Sequence, residues 1–482
     1  MWFSEFDRVS ESVRKREFQL DCPQIELTPK DVANPHRVKG PGSIFIEGDQ
    51  LKFKLYSASP LPRPKDGVDA GELVPESHRW SFRANDMAGR TWTCTIVDPE
   101  DEVSYCVEPA GVIVTGHLWQ VEGRYQEPQF RELRVMIDVP GNFDIPLDGS
   151  TQIVSKNNMT GLESHQSRRD STSVEAAACK IVIQKRDAYV RFMVSADEWL
   201  PNTETRLCEA FKFLTARQTW WEALYFAGPT EEFVKIRLRQ KLPKEPRLMP
   251  PLNDRWSRDY WSLFVKYFDF VSKSDQDAWH AISAFLDDVC EASIGSFSLL
   301  GLVLAVAIEG VVKLTHQASE ILSGEYCEAV DRLTEHVCEW ESFAADTANK
   351  LEVYGSLEKR VRGMLSQLKS QRAKDRLVAL EKRGIIKSEL IKNWELLRNS
   401  SAHGKTAVGL PDQGDLDRID KATALLYAII LDAIGYQGKY TDYSRRGWPD
   451  DNFSPAAAHD SLAPRQDVAP PDINTQSDPA GP

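Results

Sequence analysis

Two hydrophobic periods divide the chain. From about residue 40 to residue 240, apolar and polar positions alternate. The runs GSIFIEGDQLKFKLYS, RTWTCTIVD, GVIVTGHLWQVEGRYQ, FRELRVMIDV, ACKIVIQKRDAYVRFMV and FVKIRLRQ all read this way, which is the period of strands with one face in a core. Glu47-Gly48-Asp49 breaks the first run with turn residues, and a hairpin is expected there. Asn202 to Thr219 is the exception within this region: Leu207, Phe211 and Leu214 recur at helical spacing and share one face. The stretch SKNNMTGLESHQSRRDSTS, Ser155 to Ser173, is polar throughout and reads as an exposed loop. The region is expected to be mainly antiparallel β, a sandwich or a distorted barrel.

KLPKEPRLMPPLNDRW follows, with Pro243, Pro246, Pro250 and Pro251 breaking any regular element. Beyond it the period becomes 3.6. Helical segments are expected over 256–270, 275–291, 294–322, 325–349, 351–382, 387–403 and 415–436, with short breaks between them. From Gly438 the composition turns to Pro, Ala, Asp and Ser, as in SPAAAHDSLAPRQDVAPPDINTQSDPAGP, and a disordered tail is expected. The fold class is therefore α+β multidomain: a β-rich N-terminal domain over 1–242, a Pro-rich linker over 243–255, an all-α bundle over 256–437 and a tail over 438–482.

Composition narrows the class. A chain of 482 residues, 41% hydrophobic and 27% charged, is that of a globular protein large enough for two or three cores. The formal charge of −13 argues against wholesale coating by nucleic acid. The longest apolar run, FSLLGLVLAVAIEGVV, is shorter than the ~20 residues of a membrane span and carries Glu309, so a buried helix is expected. MWFSEFDRVSESVRKREF has no apolar signal core. Eight scattered cysteines form no CxxC pair, and the grouping of Cys327, His336 and Cys338 fits no common zinc spacing. Buried, reduced thiols in a cytoplasmic protein follow, with no metal, cofactor or membrane called for.

Against the overall acidity, Lys350 to Lys405 holds fourteen basic residues and six acidic ones, a local charge of +8. That concentration suits either a phosphate backbone or a solvated helix face. Within it stands ELLRNSSAHGK. Leu390, Trp394 and Leu397 form an apolar stripe, with Ile391 beside them, that leads into this motif. Arg398 and His403 are five positions apart, about 140° around an ideal helix, so they do not share a face. Asn399 and His403 do, and Gly404 is a natural helix stop. The chemistry such a set supports is metal-free cleavage of an RNA phosphodiester. A histidine moves the proton at the 2′-hydroxyl or the leaving oxygen. An arginine holds the phosphate and its developing charge. A neutral amide orients either group. The bland alternative is a helix end whose histidine simply complements the dipole.

LRNSSAHG resembles the R-polar-x-x-x-H signature of HEPN domains. In that family a helical bundle carries the motif late, followed by a loop and a closing helix; here KTAVGLPDQGDL and DRIDKATALLYAIILDAIGY take those places. The order of a β-rich domain before such a bundle is similar to the ApeA-like branch of prokaryotic HEPN proteins associated with anti-phage abortive infection. The resemblance covers about residues 290–436. It implies an endoribonuclease with Arg398 and His403 as catalytic pair and Asn399 as the polar second position. Glu309 in LAVAIEGVVKL is the expected acidic residue facing them. It also implies a homodimer acting on tRNA or other cellular RNA. The closing helix is either its dimer surface or core. The competing reading is a non-catalytic HEPN module that binds a nucleotide or a partner protein. For the β-rich domain, the hypothesis is that it senses a phage-derived trigger or restrains the bundle. Trp80, Trp92, Trp119, Trp220 and Trp221 are either core or recognition surface.

Overall fold

The computed structural model describes residues 3–30, 37–58, 79–100, 111–125, 130, 132–156, 163–238, 248–254, 258–274, 279–316, 325, 328–336, 360–361, 363–364, 372–402 and 412–454. It is a mixed α/β structure built on one large antiparallel sheet. The expected helices over 325–349 and 351–382 fall largely outside the described residues.

The first strands are β1 (Gln19–Pro29), β2 (Val38–Glu47), β3 (Gln50–Ser57), β4 (Trp80–Asn85), β5 (Thr91–Glu100), β6 (Val112–Leu118) and β7 (Gln120–Arg124), of which β1 and β4 lie outside the alternating runs. Further on come β8 (Leu133–Pro140), β9 (Gly149–Lys156), β10 (Glu163–Ala176), β11 (Cys179–Lys185), β12 (Tyr189–Ala196), β13 (Ala223–Ala227) and β14 (Glu232–Arg237). In β3 the pattern is strict: Leu51, Phe53 and Leu55 point inward and are buried, while Lys52, Lys54 and Tyr56 alternate outward. Gly48 opens the two-residue β2–β3 loop at φ 61°, a value that favours glycine.

The first strands close on themselves. Their order is β4-β1-β2-β3-β6-β5, and β5 returns to pair with β4, giving a closed ring of six strands. Ile25, Leu27, Ile44, Phe53, Phe82 and Trp92 fill it. Strand β5 also pairs with β7, from which an open sheet continues as β7-β14-β13-β8-β12-β11-β10-β9. Gly123 of β7 lies flat on the Trp92 ring, where any Cβ would fall 2.7 Å from an indole carbon. The expected distorted barrel is therefore half of the β structure and an open sheet is the other half. Trp80, Trp92, Trp220 and Trp221 are core, whereas Trp119 is 58% exposed.

Helix α1 (Phe3–Arg14) covers one face of the open sheet, with Phe6 5.7 Å from Tyr225 and Ser10 hydrogen-bonded to Asp138. Asp138 also receives two bonds from Arg191, at 2.6 and 2.8 Å. The opposite face receives α2 (Thr203–Thr215), through Leu207, Phe211 and Leu214, and α3 (Asp259–Val271). Beyond these lie α4 (Ala281–Ala292), α5 (Phe297–Thr315), α6 (Ala373–Lys382), α7 (Ser388–Ala402) and α8 (Gln413–Ala433). Helix α5 is central and packs against α4, α6, α7 and α8. Its composition alone would permit a membrane span; Leu300, Leu304, Ile308, Val311 and Val312 are buried in the core, whereas Leu299, Leu302 and Val306 are exposed. Gly310 lets α4 approach, since a Cβ there would meet the Phe285 ring at 2.2 Å. The closing helix α8 is core along Ala422 to Leu431.

Three expectations change. First, the proline segment does not separate two cores. A single buried cluster runs from Leu133 on β8 through α2 and α3 to α8, and Leu248 and Leu252 lie inside it. Glu209 of α2 sits at this junction, accepting from Arg206 Nη1 (2.8 Å), His280 N (3.0 Å) and Ser283 Oγ (2.9 Å). Lys212 pairs with Asp287 of α4 across the same boundary. Residues 239–247 lie outside the described residues.

Second, much of Ser155–Ser173 is strand. β10 pairs with β9 and β11, its hydroxyl and charged residues hiding the alternation. Residues 157–162 of that stretch are outside the described set. Third, the first part of the expected tail is a strand hairpin. β15 (Gly438–Thr441) and β16 (Asp450–Phe453) form a hairpin that returns to the proline segment. Tyr443 OH donates to Pro250 O (2.6 Å), Thr441 N to Pro251 O (2.9 Å) and Asn253 N to Thr441 Oγ1 (2.7 Å). Tyr443 and Phe453 are buried in the common core. Those aromatics outweigh the Pro and Asp that suggested disorder; residues 455–482 are outside the described set.

Candidate functional site

The stripe that leads into the motif is the buried face of α7. Leu390, Ile391, Trp394 and Leu397 are buried against α5 and its neighbours. Trp394 Nε1 donates to Ala305 O at 3.0 Å, and Leu397 seats against Gly301, where a Cβ would come within 3.0 Å of its Cδ1. This packing fixes the rotation of α7 and so the direction of Arg398, one residue further on.

Arg398 turns outward over α5. Its Nη2 lies 3.1 Å from Glu309 Oε2, and its guanidinium carbon 5.7 Å from the centre of the Trp394 ring. Glu309 also receives Lys313 Nζ at 2.7 Å. One carboxylate thus stands between two cations, all three on the wall of a cleft of about 940 Å³. Arg372, which caps α6, and Lys374 and Arg376 of α6 also line it, with Glu395 and Asn399 of α7. Lys374 pairs with Glu395 at 2.6 Å. Arg376 closes the C-terminal end of α5, donating to Lys313 O (2.6 Å) and His316 O (2.8 Å). These bonds satisfy carbonyls a helix end leaves open.

Five cations face two carboxylates in this cleft. Such a surface attracts phosphate, and the Arg398 fork is built to grip it. A phosphate arriving at Arg398 meets Glu309 there first, so binding exchanges one anion for another.

Of the residues singled out from the sequence, Glu309, Arg398 and Asn399 come together on this cleft. His403 directly follows α7 and, with Gly404, lies outside the described residues. Lys313 and Arg376 were not singled out as site residues. Lys313 had a local signal, standing four positions after Glu309 on one helix face; Arg376 was visible only as one member of a charge run.

Among the described residues no group of three or more His, Cys, Asp or Glu side chains is placed to hold a metal ion. Cys22, Cys94, Cys179, Cys208 and Cys290 are buried and stand outside any disulfide. Burial pushes Cys22, Cys208 and Cys290 up to about 12, well away from reactive thiolates. Cys106, Cys327 and Cys338 are outside the described residues. Compared with protein-family models, curated proteins and solved structures, the chain gives no match.

Proposed function

We propose that the protein is a metal-independent endoribonuclease of the HEPN type, an abortive-infection effector responding to a phage-derived trigger. The observation that carries the reading is Arg398, held by Glu309 on the wall of a cleft whose remaining charge is mostly cationic. In this reading Arg398 grips the scissile phosphate and stabilises its transition-state charge. His403 transfers the proton at the 2′-hydroxyl or the leaving oxygen. Asn399 orients one of them, and Glu309 aligns Arg398 until substrate replaces it. The nucleophile is the RNA's own hydroxyl. A second copy completes the active unit; Leu299, Leu302 and Val306, exposed along α5, with Leu396 of α7, offer apolar surface for it.

A second reading, a bundle that binds a nucleotide or partner without cutting RNA, draws support from the same ion pair, because Glu309 neutralises the residue that would do catalysis.

Expression of the full protein and of His403→Ala in bacteria, with and without phage challenge, separates the two. Expression level and Tm are matched, and total RNA is run on a gel. Cleaved RNA and arrested growth only with His403 present support the nuclease. Identical behaviour of the two proteins removes it and leaves the binding module.

A further inference from the structure

The end of α5 away from Glu309 borders a second cavity, of about 430 Å³. The start of α5 supplies Phe297 and Leu300 to its wall, α8 supplies Leu416, Ile419 and Asp420, and the turn between β15 and β16 supplies Trp448. Phe297 and Glu309 are 12 residues apart, about 18 Å along a helix, so the cavity is separate from the Arg398 cleft. Its size is that of a small-molecule site, and such sites pair apolar walls with a few placed polar groups. Asp420 is the one charged side chain among the described residues that line it.

That carboxylate is only partly satisfied. Its Oδ2 accepts from Trp448 Nε1 at 3.0 Å, and among the described residues no cation pairs with either oxygen. Arg418, two positions earlier, turns to Asp415 instead. Burial pushes the Asp420 pKa up; the indole bond opposes this and Asp417 adds to it. A half-buried carboxylate so placed gains from a cation. The field around it has the right sign. From its cap to Lys421, α8 carries Asp412, Asp415, Asp417 and Asp420 against Arg418 and Lys421, and the hairpin from Gly438 to Phe453 adds three charges of each sign. The N-terminus of α5, where Ser296 Oγ accepts from Leu299 N at 3.2 Å, contributes about half a positive charge in opposition. The carboxylates outweigh it.

Trp448 is held there by an uncommon backbone. Its φ is 50°, a left-handed value that a bulky residue seldom takes, and the ring is 40% exposed. The indole bond fixes one oxygen of Asp420 and leaves the other for a ligand. We propose that this cavity binds a small amphiphilic amine, its ammonium on Asp420 and its apolar body against the Phe297 and Trp448 rings and the side chains of Leu300, Leu416 and Ile419. Such a ligand supplies the cation that the carboxylate lacks and buries apolar surface in the same step. The site does not depend on the Arg398 cleft being catalytic.

The test is isothermal titration of the full chain with 2-phenylethylamine, beside 2-phenylethanol as a neutral molecule of the same shape. The amine is expected to bind about tenfold or more tightly than the alcohol. Asp420→Asn keeps an acceptor for Trp448 Nε1 and is expected to remove that preference. Leu416→Trp fills the cavity without touching Asp420 and is expected to abolish binding of both molecules. Tm is measured for each variant. The comparison of amine with alcohol is made on the unaltered chain, so it decides even where a variant fails to fold. Absence of amine binding at millimolar concentration overturns the proposal, as does equal affinity for the two molecules. So does an Asp420→Asn protein of unchanged Tm that still prefers the amine.

Discussion

Glu209 is where charge is buried most deeply between the sheet and the helices, and its removal should be felt by the whole molecule. Its side chain is fully enclosed and that of Arg206, 2.8 Å away, is 2% exposed. Besides Arg206 it accepts from His280 N and Ser283 Oγ. Glu209→Leu deletes all three acceptor contacts and leaves the guanidinium without this carboxylate. Breaking a buried pair from one side costs roughly 3–5 kcal/mol. At about 2.1 cal/mol/K of unfolding entropy per residue, a chain of this length shifts Tm by about 1 °C per kcal/mol, so a fall of about 3–5 °C is expected. Adding Arg206→Met removes the buried guanidinium as well. His280 N then loses its acceptor, at roughly 1–3 kcal/mol, while Ser283 Oγ keeps its bond with the Tyr267 hydroxyl (2.9 Å), and the larger electrostatic penalty is gone. The double variant should therefore be more stable than Glu209→Leu alone. Urea denaturation followed by tryptophan fluorescence, with Tm beside it, reads both. A double variant less stable than the single, or a single variant costing under about 1 kcal/mol, would refute the account of this junction.

Two further predictions rest on local geometry. His280 caps α4 by accepting from Ile282 N at 3.2 Å through Nδ1, and burial pushes its pKa down to about 4. The folded state thus resists a proton that the unfolded chain takes up near pH 6.5, so this contribution is present above pH 6.5 and lost as pH falls toward 4. His280→Asn keeps an acceptor at the cap, and its stability relative to wild type, followed by urea titration at each pH, should rise across that window. Separately, Ala177 and Ala178 form the two-residue β10–β11 loop at φ 46° and 59°, where Asn-Gly is the favoured chemistry. Ala178→Gly relieves the exposed position and should add about 0.5–1 kcal/mol by chemical denaturation; a loss of stability would mean that the loop is not left-handed.

How much was legible in the sequence follows from how far each cause reaches along the chain. The inward residues of β3, the face of α2 shared by Leu207, Phe211 and Leu214, and the stripe of α7 are set within a few positions, and periodicity exposes them. Strand β10 was missed because its residues are polar and its hydrogen bonds go to β9 and β11, which no local pattern records. The common core was missed because prolines mark a break in regular structure, and that break need not be a break in packing. At the cleft, the meeting of Glu309 and Arg398 was expected from a family resemblance; periodicity alone does not bring together residues nearly ninety positions apart. The role of Arg376 at the end of α5 is equally a matter of tertiary placement.

The C-terminal hairpin has a consequence for how the molecule is made. Pro250 and Pro251 are tied to Thr441 and Tyr443, so the intervening stretch of about 190 residues is a loop closed without a covalent link. Closing so long a loop adds little entropy cost beyond that of a shorter one, because the penalty grows only with the logarithm of length. The order of synthesis matters more. The strands, α2 and the proline segment leave the ribosome first, while Tyr443 and Phe453, which fill the same core, leave about 190 residues later. The helices are therefore enclosed only after the hairpin has followed them, and until then the shared core is incomplete.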